Sequence, residues 1–347
     1  MKKTNISALL LAALLLIQLL CAPVSAVTAE PAADAQADAQ TASDNSAEDA
    51  AAEADSVPED QLLSSREQFS VAAKAALLID LNTNRVVYEQ DADERVYPAS
   101  LTKIMTCLIA LENGNLSDVV TVSESALADL DEDSSVAGLV VGEQMTLENL
   151  LYCMMVVSGN DACNVIAEHV AGSVTDFVRM MNQRAYELGC TNTHFNNPHG
   201  LHDESHYTTA RDLAIITQAA LKSENFRQIV DTYEYKLPDD NMRQNIPKLK
   251  TTNMLIYQSM SNSLYYPRAH GIKTGYTSQA GRCVISEATG DGLDLLGIVC
   301  GAATTVLDSG DLLMENFTEC ARLFDYGFDN YSYLTLMSPL YPVDQVK

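Results

Sequence analysis

Two β-rich runs, Lys74 to Asp80 and Arg85 to Glu89, flank Leu81, Asn82, Thr83 and Asn84, a short group dominated by turn formers. That alternation predicts a β-hairpin. Pro98 then fits the first turn of a helix whose body, Leu101 to Leu111, is apolar almost all round and stops at Asn113 and Gly114. A helix without a polar face belongs in a core. Leu147 to Val157 and Ala162 to Val170 read as two further apolar helices, with Ser158 and Asn160 at the break between them. Near the far end, Gly271 to Tyr276 leads into an alternating run from Cys283 to Ala288. A Gly290-Asp291-Gly292 turn and a second run, Leu293 to Cys300, complete another hairpin, and a helix follows over Asp311 to Phe324. Strands at both ends with helices between them predict an α/β (α+β) domain, an antiparallel β-sheet flanked by helices.

The N-terminal segment has a different character. Lys2 and Lys3 precede an uncharged stretch from Thr4 to Ala29 built on leucine and alanine, which is the layout of a secretory signal. Val24, Ser25 and Ala26 place cleavage after Ala26, making residues 1–26 the signal peptide; Ala29 is the second choice, and an uncleaved anchor is the alternative. Cys21 is assigned to the discarded signal. From Val27 to Asp60 the chain holds ten acidic residues and no lysine, arginine or aromatic. Too apolar-poor to fold, it reads as a disordered acidic linker, extended here to residue 66.

The formal net charge is −26, and about −16 of it lies outside that linker. Nucleic acid is therefore not an expected partner. Residues 67–331 are expected to form one domain, followed by a tail over 332–347. Seven cysteines remain after signal removal, and Cys107, Cys153, Cys283 and Cys300 lie in apolar runs, so they read chiefly as buried thiols. No short-spaced pair suggests a zinc site, and disulfide pairing stays open.

Ser100 and Lys103 stand three apart at the start of the first apolar helix, within reach of each other. A serine hydroxyl needs a base to take its proton, and an amine can do this only when neutral. Burial and a second lysine nearby would both lower the Lys103 pKa. Ser158-Gly159-Asn160 and Lys273-Thr274-Gly275 follow at separations of 58 and 115 residues. Each alone is weak, since Ser43-Asp44-Asn45 and Ser223-Glu224-Asn225 also match the second pattern. The first precedes Ser100 in the linker and the second lacks an equally apolar helix before it, so Ser158-Gly159-Asn160 is the better candidate. Gly275 would let a substrate backbone lie close.

In this order the three motifs resemble those of the penicillin-recognising serine enzymes. Tyr97 to Lys103, Ser158 to Asn160, Asn197-Pro198-His199-Gly200-Leu201 and Gly271 to Thr277 resemble the low-molecular-mass D-alanyl-D-alanine carboxypeptidases more closely, over roughly Ala73 to Tyr331. The resemblance implies a penicillin-binding protein/β-lactamase-like transpeptidase fold and a serine peptidase acting on peptidoglycan stem peptides ending in D-Ala-D-Ala, with β-lactam antibiotics as covalent inhibitors. It further implies that Ser100 forms the acyl-enzyme, Lys103 accepts its proton and Ser158 relays a proton to the leaving amine. Asn160 would hold the substrate amide, Lys273 would keep the field positive and Thr274 would bind the terminal carboxylate. Backbone N–H groups of Ser100 and Tyr276 would make the oxyanion hole. No metal or organic cofactor is implied.

Two departures stand out. Family members commonly carry an arginine after the last hairpin that reads the terminal carboxylate, whereas Cys283 to Ala321 contains none. Lys273, Thr274 or Arg282 is left to compensate. The segment from Ser332 to Lys347 also has no room for the usual trailing β-domain and amphipathic membrane helix.

Other chemistries fit less well. His202 and His206 with Glu204 mimic a zinc-protease pattern, but the acid is one place off and Gly200 stands just upstream, so a structural loop is expected. His169, His194, His199 and His270 have no serine elbow to serve. Arg211 and Asp212 read as a surface or packing pair, and Met154 and Met155 as core filling. Glycine between Ser158 and Asn160 argues against a class A β-lactamase. A DD-endopeptidase and a non-catalytic sensor of wall peptides or β-lactams are the remaining rivals.

Overall fold

In the computed structural model the described residues are 69–128, 130, 134–306 and 312–333. The signal, the whole of the acidic linker and the C-terminal tail from Leu334 lie outside them. The strands are β1 (Ala75–Asp80), β2 (Arg85–Gln90), β3 (Val119–Thr121), β4 (Gln144–Thr146), β5 (Glu234–Tyr235), β6 (Leu249–Lys250), β7 (Ala269–Thr277), β8 (Gly281–Gly290), β9 (Leu293–Ala302), β10 (Thr304–Val306) and β11 (Leu312–Met314). The helices are α1 (Lys103–Asn113), α2 (Glu124–Ala128), α3 (Leu147–Val156), α4 (Asn160–Ala171), α5 (Val174–Glu187), α6 (Ala210–Ala220), α7 (Glu224–Val230) and α8 (Glu315–Asn330).

Five strands form the main antiparallel sheet in the order β2-β1-β9-β8-β7, so both hairpins of the sequence reading join one sheet and β7 is an edge. Every residue of β1 is buried, which a strand between two helical layers requires. Ala75, Leu77 and Ile79 enter a large core shared with α1 and α3 to α7. Ala76 and Leu78 enter a second core on the opposite face, where α8 supplies Cys320, Leu323 and Phe324. Burying each such leucine contributes roughly 1.5–3 kcal/mol, and alternation of side chains along the strand divides that gain between two layers.

Local side chains start the helices. Thr146, Ser173, Thr209 and Ser223 accept N–H bonds from the third residue onward at the starts of α3, α5, α6 and α7. Ser223 thereby accounts for the Ser223-Glu224-Asn225 match as a helix cap. The last helix departs from expectation. It begins at Glu315 rather than Asp311 because Leu312–Met314 pairs with Thr304–Val306, and it runs on to Asn330. All seven cysteines of the described residues are buried and unpaired by disulfides. Among the described residues, no helix is long and apolar enough to cross a membrane.

Candidate active site

Ser100 lies in a single 3-10 turn, Ala99–Thr102, and α1 proper begins only at Lys103. The sequence reading placed the serine on the α-helix itself. Because a 3-10 turn has three residues per turn, it eclipses positions i and i+3 and brings the two side chains together more directly than an α-helix does. Lys103 Nζ is 2.9 Å from Ser100 Oγ, 2.7 Å from Asn160 Oδ1 and 2.8 Å from the His199 carbonyl oxygen. The lysine is 0 % exposed, and burial lowers its pKa against a smaller opposing pull from Cys163 and Asp161. In the neutral form its two N–H bonds match the two fixed oxygens of Asn160 and His199. Its lone pair then faces the one neighbour that can donate, the Ser100 hydroxyl.

The break between α3 and α4 carries Ser158 at φ +63°, a left-handed conformation uncommon outside glycine, and Ser158 is buried at the cleft wall. Asn160 opens α4 and points its amide oxygen at Lys103. Asp161, which sequence reasoning passed over, accepts four backbone N–H bonds. Oδ1 takes those of Ala137 and Ala162 at 2.9 Å, and Oδ2 takes those of Gly138 and Leu139 at 2.9 and 3.0 Å. The Asn160 N–H donates to the Ser135 carbonyl at 2.8 Å, so the segment from Ser134 to Leu139 is stitched to the Ser158–Asn160 turn. Arg243 holds the same segment from outside through the Gly138 carbonyl at 2.8 Å and an ion pair with buried Glu143.

On the opposite wall, β7 brings Lys273, Thr274, Gly275 and Tyr276 past the Ser100 turn. Lys273 is 1 % exposed, and its pKa is driven well down by burial and then by Lys103; its Nζ donates to the Thr274 carbonyl at 3.0 Å. Thr274 Oγ1 lies 2.6 Å from Thr252 Oγ1. Gly275 lines the cleft and also serves the serine turn. A Cβ there would sit 3.0 Å from the Ser100 nitrogen and 3.1 Å from the Pro98 carbonyl, so the missing side chain makes room for the serine turn. A cleft of about 350 Å³ opens between the two walls, lined by Ser100, Ser158, Asn160, Thr274, Tyr276 and Arg282 among others.

The Asn197–Leu201 segment supplies the floor. Asn197 Oδ1 accepts from the Gly200 N–H at 2.6 Å, forming a tight turn that presents the His199 carbonyl to Lys103. Gly200 has φ +90°, and a Cβ there would overlap the Ala99 carbonyl, so the turn nests against the backbone beside the serine. His199 and His206 are buried, and burial chiefly holds their pKa values down to about 3 and about 4. His206 accepts the Asn196 N–H on Nδ1 and bonds Thr102 Oγ1 at 2.9 Å, which fits the expected structural loop. Among the described residues, no group of three His, Cys, Asp or Glu side chains is arranged to hold a metal.

A family model described as D-alanyl-D-alanine carboxypeptidase, peptidase S11, matches residues 62–304. The chain belongs to that family. Relatives agree with the assignment. A D-alanyl-D-alanine carboxypeptidase of Bacillus subtilis, DacF, is 37% identical over 79% of this chain and 65% of its own length. DacC of Escherichia coli is 33% identical over 78% of this chain and 64% of its own. The chain thus spans just under two thirds of these relatives. Among solved structures, the DD-transpeptidase of Streptomyces K15 superposes with a TM-score of 0.66 at 30% identity, covering 75% of this chain and 98% of that one. Penicillin binding protein 5 of Haemophilus influenzae superposes with a TM-score of 0.64 at 32% identity, covering 75% and 72%. The DD-peptidase fold implied by the sequence resemblance is therefore the fold of this chain.

Proposed function

We propose that the protein is a serine-type D-Ala-D-Ala carboxypeptidase that removes the terminal D-alanine of peptidoglycan stem pentapeptides through an acyl-enzyme on Ser100. The observation that carries this reading is the buried Lys103 amine, 2.9 Å from Ser100 Oγ with its other two partners fixed as acceptors. Neutral Lys103 takes the hydroxyl proton as Ser100 Oγ attacks the carbonyl of the penultimate D-alanine. The negative charge on the tetrahedral oxygen is received by the backbone N–H groups of Ser100 and Tyr276. Ser158, buried at the wall in its left-handed conformation, relays the proton taken up by Lys103 to the departing amine of D-alanine, which returns Lys103 to its neutral form. Water then attacks the acyl-enzyme, with Lys103 accepting its proton and returning it to the departing Ser100 Oγ, and the shortened peptide is freed.

Asn160 both fixes Lys103 and presents its amide to the substrate, while Lys273, Thr274 and Gly275 form the wall along which the peptide lies. β-Lactams, whose strained amide mimics the scissile bond, would acylate the same serine. The protein is placed outside the cytoplasm by its N-terminal signal, where its role is wall biogenesis and cell shape.

The test is mass spectrometry of the purified chain incubated with diacetyl-Lys-D-Ala-D-Ala and, separately, with penicillin. Release of D-alanine and a penicilloyl adduct on Ser100, absent from Ser100→Ala of unchanged Tm, is the expected result. An adduct without D-alanine release would favour a DD-endopeptidase or a sensor, and rapid turnover of penicillin a β-lactamase. Labelling that persists in Ser100→Ala would show that the nucleophile is another residue.

A further inference from the structure

The cleft carries its basic residues in two different settings. Lys103 and Lys273 sit behind the wall, fully buried, with pKa values lowered by that burial, and Lys273 is already engaged with the Thr274 carbonyl. Arg282 is on the lining itself. It stands on β8 directly across from Tyr276 on β7, with its guanidinium 4.4 Å from the Tyr276 ring centroid. Its Nε donates to Thr304 Oγ1 at 2.9 Å.

Most of the other arginines that shape the domain are neutralised. Arg184, Arg211, Arg227 and Arg243 are each paired with a glutamate. Among the described residues, no carboxylate pairs with Arg282. The tyrosine face and the Thr304 hydroxyl fix the plane of the guanidinium while leaving its terminal Nη donors without a hydrogen-bond partner among the described residues. A guanidinium held flat with a free fork, and unable to lose its proton, matches the two oxygens of a carboxylate. The Thr274 and Thr252 hydroxyls line the same cleft and add short-range donors.

We propose that Arg282, stacked on Tyr276 and aided by Thr274 and Thr252, binds the terminal carboxylate of the peptide and so selects chains with a free C-terminus. This rests on the carboxypeptidase reading and adds the residue that favours a free terminal carboxylate over a blocked one. A terminus blocked as an amide brings no charge to Arg282 and gains nothing from it. The segment Cys283 to Ala321 offers no other arginine.

The test compares kcat/KM for diacetyl-Lys-D-Ala-D-Ala with that for the same peptide ending in D-alaninamide, in the full chain and in its Arg282→Gln and Arg282→Lys variants. In the unaltered chain the acid is preferred. In Arg282→Gln the acid-to-amide ratio falls by about ten- to a hundredfold, the worth of a charged hydrogen bond, and Arg282→Lys recovers part of it. A ratio unchanged in Arg282→Gln overturns the assignment. So does an equal fall for both peptides, which marks a structural role. If the unaltered chain releases no D-alanine and takes no penicillin, the carboxypeptidase reading fails first and this inference with it.

Discussion

Replacing Asp161 with alanine should loosen the wall of the cleft without touching a reacting atom. The carboxylate accepts four backbone N–H bonds of 2.9–3.0 Å, three from Ala137, Gly138 and Leu139 and one from Ala162. Bonds to a charged acceptor contribute about 1.5–3 kcal/mol each, so the simple sum approaches 6–12 kcal/mol. The segment can instead swing out and hydrate its N–H groups, which limits the loss to roughly 3–5 kcal/mol, the range seen when a buried charge network is broken. At about 2–4 °C per kcal/mol for a domain of this size, Tm should fall by about 10 °C in a thermal melt followed by circular dichroism. Acylation by fluorescent penicillin should slow as well, because the Ser135 carbonyl that anchors Asn160 belongs to the same segment. Asp161→Asn, with one acceptor oxygen left, should fall between. A Tm within 2 °C of the unaltered chain, with normal acylation, would refute the clamp.

Lys103→Ala should reduce the acylation rate by about 10²–10⁴-fold in stopped-flow measurements, since general-base catalysis is lost. In the unaltered chain, burial lowers the Lys103 pKa, so the rate should rise with pH and level off before the ordinary lysine value of 10.5. The same shift makes the folded state bind fewer protons than the unfolded one between the two pKa values, so this group's contribution to stability also rises with pH across that window. An inflection at or above 10.5 would rule out a neutral buried base. Gly200→Ala should cost more than about 3 kcal/mol in urea unfolding, because it combines a left-handed backbone with overlap onto the Ala99 carbonyl. Native stability in that variant would mean that the turn does not support the serine.

The sheet was legible because Leu77, Leu78 and their neighbours follow a strand pattern and the Gly290-Asp291-Gly292 turn interrupts it cleanly. The contact between Ser100 and Lys103 was legible from spacing, since any tight right-handed turn brings i and i+3 together, but only the order of the three motifs gave the pair a role. What escaped were contacts made by the backbone. Nothing in local composition marks the His199 carbonyl as a partner of Lys103, or the Ala99 carbonyl as the object that Gly200 must avoid. Asp161 was hidden in the first turn of α4, where an acidic residue is ordinary, and its partners lie more than twenty residues upstream. The beginning of α8 was misplaced because Leu312–Met314 has no strong preference until Thr304–Val306 lies beside it.

The sealed thiols give the fold a built-in chronometer. Burial raises the pKa values of Cys107, Cys153 and Cys320, and those of Cys163 and Cys190 to about 12, so thiolate is scarce while the domain is closed. An alkylating reagent reaches these sulfurs only through transient opening, and its rate of incorporation at each position follows how often that layer breathes. Cys163 lies on α4 close enough to Lys103 to act on its charge, whereas Cys320 is on α8, in the core on the far face of the sheet. Their relative alkylation rates therefore separate fluctuation of the catalytic layer from that of the opposite one, with no label introduced.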